Sequence, residues 1–133
     1  MFRKIGQFEI STDGDLILVW SSPEFNLESA REYAAAMAVT IERMPRKFGV
    51  LARFDTPPIL AADVEAAMRE SARLRKQRGM VAVAFVTADD FGMSIATGQW
   101  NRIYDPIGIP HAFFRDMETA RSWLREQISG ATL

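Results

Sequence analysis

Six consecutive residues, Val81-Ala82-Val83-Ala84-Phe85-Val86, carry no polar side chain. Successive side chains of a strand point to opposite faces, so an unbroken apolar run predicts a strand covered on both sides. A one-faced antiparallel sheet cannot accommodate it. The run asks instead for a central strand in a mostly parallel sheet, with helices above and below.

The flanking segments fit that demand. Gln7-Phe8-Glu9-Ile10 alternates polar and apolar, Asp13-Gly14 offers a turn, and Leu16-Ile17-Leu18-Val19-Trp20 is again apolar. This predicts a hairpin whose second strand lies deeper than the first. Leu27, Ala30, Ala34, Met37, Ile41 and Met44 recur at steps of three and four, the stripe of an amphipathic helix. Asn26 suits its N-cap, Glu28 suits its positive end, and Pro45 stops it. Phe48 to Phe54 reads as a third strand ending at Asp55. After Thr56-Pro57-Pro58 a second helix is expected over about 59–78, with Leu60, Val64, Ala67, Met68 and Leu74 inward. Gly79 fits its C-terminal left-handed position, and Arg73, Arg75, Lys76 and Arg78 crowd its last turns.

Beyond Val86 the signals weaken. Residues 94–104 form an expected short helix with Gly98 inside it, and Pro106 and Gly108 mark a loop. His111-Ala112-Phe113-Phe114 is a last short strand. Asp116 caps a final helix that faces inward with Met117, Ala120, Trp123, Leu124 and Ile128. The expected order is β-β-α-β-α-β-α-β-α, an α/β fold with a mixed, mostly parallel sheet of five strands and four helices. Residues 1–133 make one domain.

Composition narrows the function. Sixteen basic residues face 17 acidic ones, so no electrostatic footprint for nucleic acid exists. There is no cysteine and one histidine, which removes disulfides, thiolate or His-rich metal sites and a thiol nucleophile. No cofactor fingerprint, P-loop or nucleophile-elbow motif occurs, and no cofactor is expected. The longest apolar runs fall far short of the ~20 residues a spanning helix needs. The basic start, Met1 to Gln7, is followed by Glu9, Asp13 and Asp15 rather than an apolar stretch. The expected location is the cytoplasm, without stable membrane insertion.

The element order, the element lengths and the late Ala120-Arg121-Ser122-Trp123-Leu124 stretch resemble the SpoIIAA-like (STAS) superfamily over about residues 5–128. That family comprises anti-sigma-factor antagonists and the cytoplasmic ends of some anion transporters. The resemblance implies the SpoIIAA-like fold and a regulatory role exerted on a protein partner. The family's phosphorylatable serine sits in an Asp-Ser-Ser-Gly turn, which falls here on Asp55-Thr56-Pro57-Pro58. Asp55 matches and Thr56 keeps a hydroxyl. The two prolines remove backbone donors that a phosphate at a helix N-terminus would use, so Thr56 is not expected to be a phosphorylation switch.

Ligands of open α/β sheets bind beyond the carboxyl ends of the strands. Those ends carry Asp55 and Thr56, then Thr87, Asp89 and Asp90, then Arg115 and Asp116. Converging carboxylates there would hold Mg²⁺ for a metal-assisted reaction. The competing account, in which they serve turns, loops and caps, is favoured. Arg69, Arg73 and Lys76 share a helix face that suits an anion or an acidic partner, but Glu65 and Glu70 beside them favour a solvated face. His111 between Pro110 and two phenylalanines reads as a packed or edge imidazole.

The segment around the third helix draws most interest. Trp100, Arg102 and Tyr104, with Gln99, have the composition of an interface hot spot. With Phe91 and Met93 before it, the same helix suits the lid of an apolar pocket, or a plain cover for the sheet. The leading expectation is a non-catalytic regulatory or protein-interaction domain, self-associating as a homodimer. The alternative is a binding or carrier domain for a small apolar or amphipathic ligand.

Overall fold

The strands lie side by side in the order in which the chain makes them, β1 to β6. The computed structural model describes residues 3–5, 8–21, 26–55, 59–87 and 93–131. β1 (Arg3–Ile5), β2 (Phe8–Asp13) and β3 (Leu16–Ser21) are antiparallel, while β4 (Phe48–Phe54), β5 (Met80–Val86) and β6 (His111–Phe114) continue parallel to β3. Helices α1 (Leu27–Ile41), α2 (Ala62–Gln77) and α3 (Met93–Tyr104) make the three crossovers, and α4 (Met117–Gly130) ends the described chain. The five strands and four helices expected from the sequence are all present. Three residues, Arg3–Ile5, add a short strand at the hairpin edge.

Sequential winding has a geometric consequence. Right-handed crossovers that always step in one direction place every crossover helix on the same face of the sheet. The larger core follows suit: Ala30, Tyr33 and Met37 of α1, Val64 and Met68 of α2, and Trp100 and Ile103 of α3 pack together against Phe8, Ile17, Val50 and Phe85. The opposite face has only α4, whose Ala120, Leu124 and Ile128 cover Leu16, Leu51, Ala82 and Ala84. Small residues let α4 lie close. A Cβ on Gly49 would meet Leu124 at 3.1 Å, Leu16 at 3.3 Å and Ile128 at 3.4 Å.

The apolar run of β5 is buried on both faces as its composition demands, with Ala82, Val83, Ala84 and Phe85 all at most 2% exposed. β5 lies one place from the β6 edge rather than at the middle, because β6 is the last strand the chain supplies. A register shift between Phe48 and Gly49 against β5 sets Met80 beside Phe48 and Ala82 beside Gly49, so Val81 bulges. Gly14 turns the β2–β3 hairpin with φ of 60°.

Helix ends differ in detail. Asn26 caps α1 by accepting the Ser29 N–H at 2.9 Å, and Asp116 caps α4 by accepting the Thr119 N–H at 2.8 Å. α1 stops at Ile41 and yields to turns before Pro45. α2 starts at Ala62, later than the apolar pattern suggests, and no side chain caps it. Its buried residues are Val64, Glu65, Met68, Ser71, Ala72 and Arg75. Leu74, expected inward, is 51% exposed because it sits about 100° around the helix from Arg75. Among the described residues no helix is long and apolar enough to cross a membrane.

Candidate functional site

α3 docks on the sheet through aromatic rings. Trp100 stacks on Phe85 with centroids 4.8 Å apart, on Phe54 at 6.0 Å and on Tyr104 at 6.3 Å. Phe85 stacks in turn on Phe113 at 5.0 Å. Offset stacks of this spacing join α3 to β4, β5 and β6 at the carboxyl end of the parallel strands. Trp100 is 5% exposed and Tyr104 3%. Both are therefore core residues, and the aromatic part of the expected α3 contact surface does not face outward. The stripe 96, 100, 103 and 104 is an ordinary inward helix face, and the strand on which it rests supplies the partner rings.

Gln99 is buried for another reason. Its Oε1 accepts the Leu60 N–H at 3.0 Å and its Nε2 donates to the Leu60 carbonyl at 2.7 Å. This two-point clamp stands in for the backbone pairing that the uncapped approach to α2 lacks. Arg102 is the outward residue of the group, and it is tied down: its Nη2 lies 2.7 Å from Glu65 Oε1. Glu65 also pairs with Arg69 at 2.8 Å. The hydrogen bond from Arg102, reinforced by Arg69 and opposed by burial, holds the Glu65 carboxyl below the usual range. Arg73 pairs with Glu70 at 3.2 Å, and Lys76 keeps its charge while donating to the Ile107 carbonyl, so two of the three basic residues on that face of α2 are ion-paired.

Under α3 the rings enclose an apolar cavity of about 30 Å³ lined by Tyr33, Phe54, Leu60, Met68, Trp100 and Tyr104, among others. The Trp100 Nε1 is buried without an acceptor. A cavity of that size admits a water or two and no organic ligand without movement of its walls.

No family model, curated protein or solved structure matches the chain. Function has to be argued from its own side chains.

The expected carboxylate rim is only partly in view. Asp55 is exposed at the end of β4, where it accepts the Trp20 Nε1–H at 3.1 Å and lies 3.6 Å from Arg53. Asp116 serves as the α4 cap; the Thr119 N–H holds its carboxyl below the usual range. Thr56, Asp89, Asp90 and Phe91 lie outside the described residues, as does the side chain of Met93, which opens α3. Among the described residues no group of three His, Asp or Glu side chains comes together to hold a metal ion. His111 is packed beside Tyr104 and Phe113, with Nε2 2.7 Å from Asn101 Oδ1 and Nδ1 3.1 Å from the Ile109 carbonyl.

Two features escaped the sequence reading. α4 lies over β4, β5 and β6 and reaches the Leu16 end of β3, and beyond it Leu18, Trp20, Arg53 and Met117 line a shallow groove of about 160 Å³. The signal was the parity of β3: Val19 and Ile17 enter the large core, so Leu18 and Trp20 must point the other way. The second is Arg75, 3% exposed in the α1–α2–α3 interface. Its position at steps of three and four from Met68 and Ala72 would have placed it inward, but a basic run at a helix end reads as solvated.

Proposed function

We propose that this chain is a non-catalytic regulatory domain of the STAS-like type that acts by pairing with a protein surface, its first partner a second copy of itself. The observation that supports this reading is the open sheet face beside α4. It offers a half-buried Trp20 flanked by Leu18, Met117 and Arg53, an aromatic anchor with an arginine as interface hot spots have. Around it lie both signs of charge: Arg53 beside Asp55, and Glu9 directly across the strand pair from Trp20. A patch that carries both signs of charge around one apolar centre meets the requirement of isologous pairing, in which each charge finds its opposite across a two-fold axis. The contact surface thus moves from α3, whose aromatics are core, to β3 and β4.

Sedimentation velocity over a range of concentrations tests the reading. Trp20→Ala should fold as the parent does, since the side chain is half-exposed and outside both core clusters, and should dissociate the dimer. A parent that stays monomeric at high concentration, or a Trp20→Ala variant with undiminished assembly, overturns it. A carrier of a small apolar ligand is the second reading and requires the walls of the aromatic cavity under α3 to move apart; a ligand copurifying with the parent and lost from Trp100→Phe would promote it.

A further inference from the structure

α1 and α2 enclose a groove of about 110 Å³ whose walls include Met37, Ile41 and Leu74, and whose polar lining is Ser71, Arg75 and Arg78. Arg75 is the unusual member. Its guanidinium is buried, donating from Nη1 to Ser71 Oγ and from Nη2 to Tyr104 Oη at 2.9 Å, with the charge 5.5 Å above the Tyr33 ring. Its Nε–H is buried without any acceptor. Among the described residues no carboxylate lies within ion-pair distance of it; the buried acid of α2, Glu65, lies nearly three turns away and is engaged by Arg69 and Arg102.

A buried guanidinium normally keeps a counter-charge, because an unpaired one forfeits its hydration with nothing in return. Tyr33 does not supply that charge: burial pushes its hydroxyl up to about 12, so it stays neutral. The carbonyl end of α2 and the ring face of Tyr33 offset part of the positive charge. Neither provides an in-plane acceptor for Nε. Arg75 thus brings a buried positive charge with an unpaired Nε–H to the wall of the groove.

We propose that the α1–α2 groove is a binding site for a small organic anion, a carboxylate on a short apolar chain, with its head against Arg75 and Arg78 and its tail along Met37, Ile41 and Leu74. The head would receive charge-assisted hydrogen bonds from two guanidiniums and the Ser71 hydroxyl. Size limits the tail: a groove of about 110 Å³ suits only a short chain, for which hexanoate is a suitable probe. Bare phosphate leaves the apolar walls unused. This site is separate from the open sheet face and owes nothing to the dimer reading.

The test is a titration of the full chain with sodium hexanoate, followed on the Arg75 Nε–H resonance, with hexanol and inorganic phosphate as controls. Hexanoate should shift that resonance saturably and raise the thermal midpoint by linkage. Hexanol should do neither, and phosphate should bind at least about tenfold more weakly. Ala38→Phe fills the groove from an exposed helix position and leaves Ser71, Arg75 and Arg78 in the sequence, so it should fold and lose hexanoate binding. Arg75→Met should lose it as well; if that variant does not fold, Ala38→Phe carries the test alone. An unmoved Nε–H at millimolar hexanoate overturns the proposal. So does equal binding of hexanol or of phosphate, or retained binding in Ala38→Phe.

Discussion

Truncating Trp100 to Ala separates a core role from a contact role more sharply than any other change. The side chain is 5% exposed and stacks on three rings, so the loss falls in the range for buried aromatics, about 3–5 kcal/mol. Two corrections act in opposite directions. Three ring contacts at roughly 0.5–1.5 kcal/mol each push toward the upper end. Removing an indole N–H that is buried without an acceptor returns part of a desolvation penalty of about 1–3 kcal/mol. The existing cavity beside the ring enlarges rather than collapses, because Phe54, Phe85 and Tyr104 are fixed by strands and by Arg75. The net expectation is about 4 kcal/mol. Urea titration followed by far-ultraviolet circular dichroism reads it directly: with a slope of roughly 2 kcal/mol per molar, the midpoint falls by about 2 M. Trp100→Phe, which keeps a ring in the stack and deletes the orphaned N–H, should lose less than half as much. A loss below about 1 kcal/mol for Trp100→Ala, with altered assembly, would refute the placement of α3 as core cover.

Gln99→Leu removes both hydrogen bonds to Leu60 and leaves a buried N–H and carbonyl unpaired, so it should cost about 2–4 kcal/mol and speed amide exchange at residues 60–64. For Tyr33 the sign follows from its raised pKa. The unfolded chain loses this proton near pH 10 and the folded chain only near 12, so the folded state binds more protons in between. Stability is full below pH 10 and declines as pH rises toward 12, by up to about 2–3 kcal/mol. Denaturant titrations at pH 9 and about 11 should show Tyr33→Phe losing less stability over that interval than the parent; an equal loss would contradict the neutral, buried hydroxyl.

Much of the fold is written locally. The unbroken apolar run Val81 to Val86 required a strand covered on both faces, and the steps of three and four set the four helices. Asn26 and Asp116 marked two helix starts because a cap is a contact within one turn of chain. Such signals depend on period and on neighbours in sequence, and a reader of the sequence has both. The functional surfaces are different in kind. Trp100 and Tyr104 have the composition of a contact site, yet their fate was settled by Phe54, Phe85 and Phe113, rings that the strand order brings beneath α3. Trp20 is left at a surface only because α4, the single helix on its face, lies over β4, β5 and β6 instead. Arg75 is a buried cation, bonded to Ser71 and to Tyr104 of α3, because α1 and α3 close over that face of α2. Each outcome depends on which distant element arrives first at a side chain, and that is decided by the winding of the sheet rather than by any stretch of sequence.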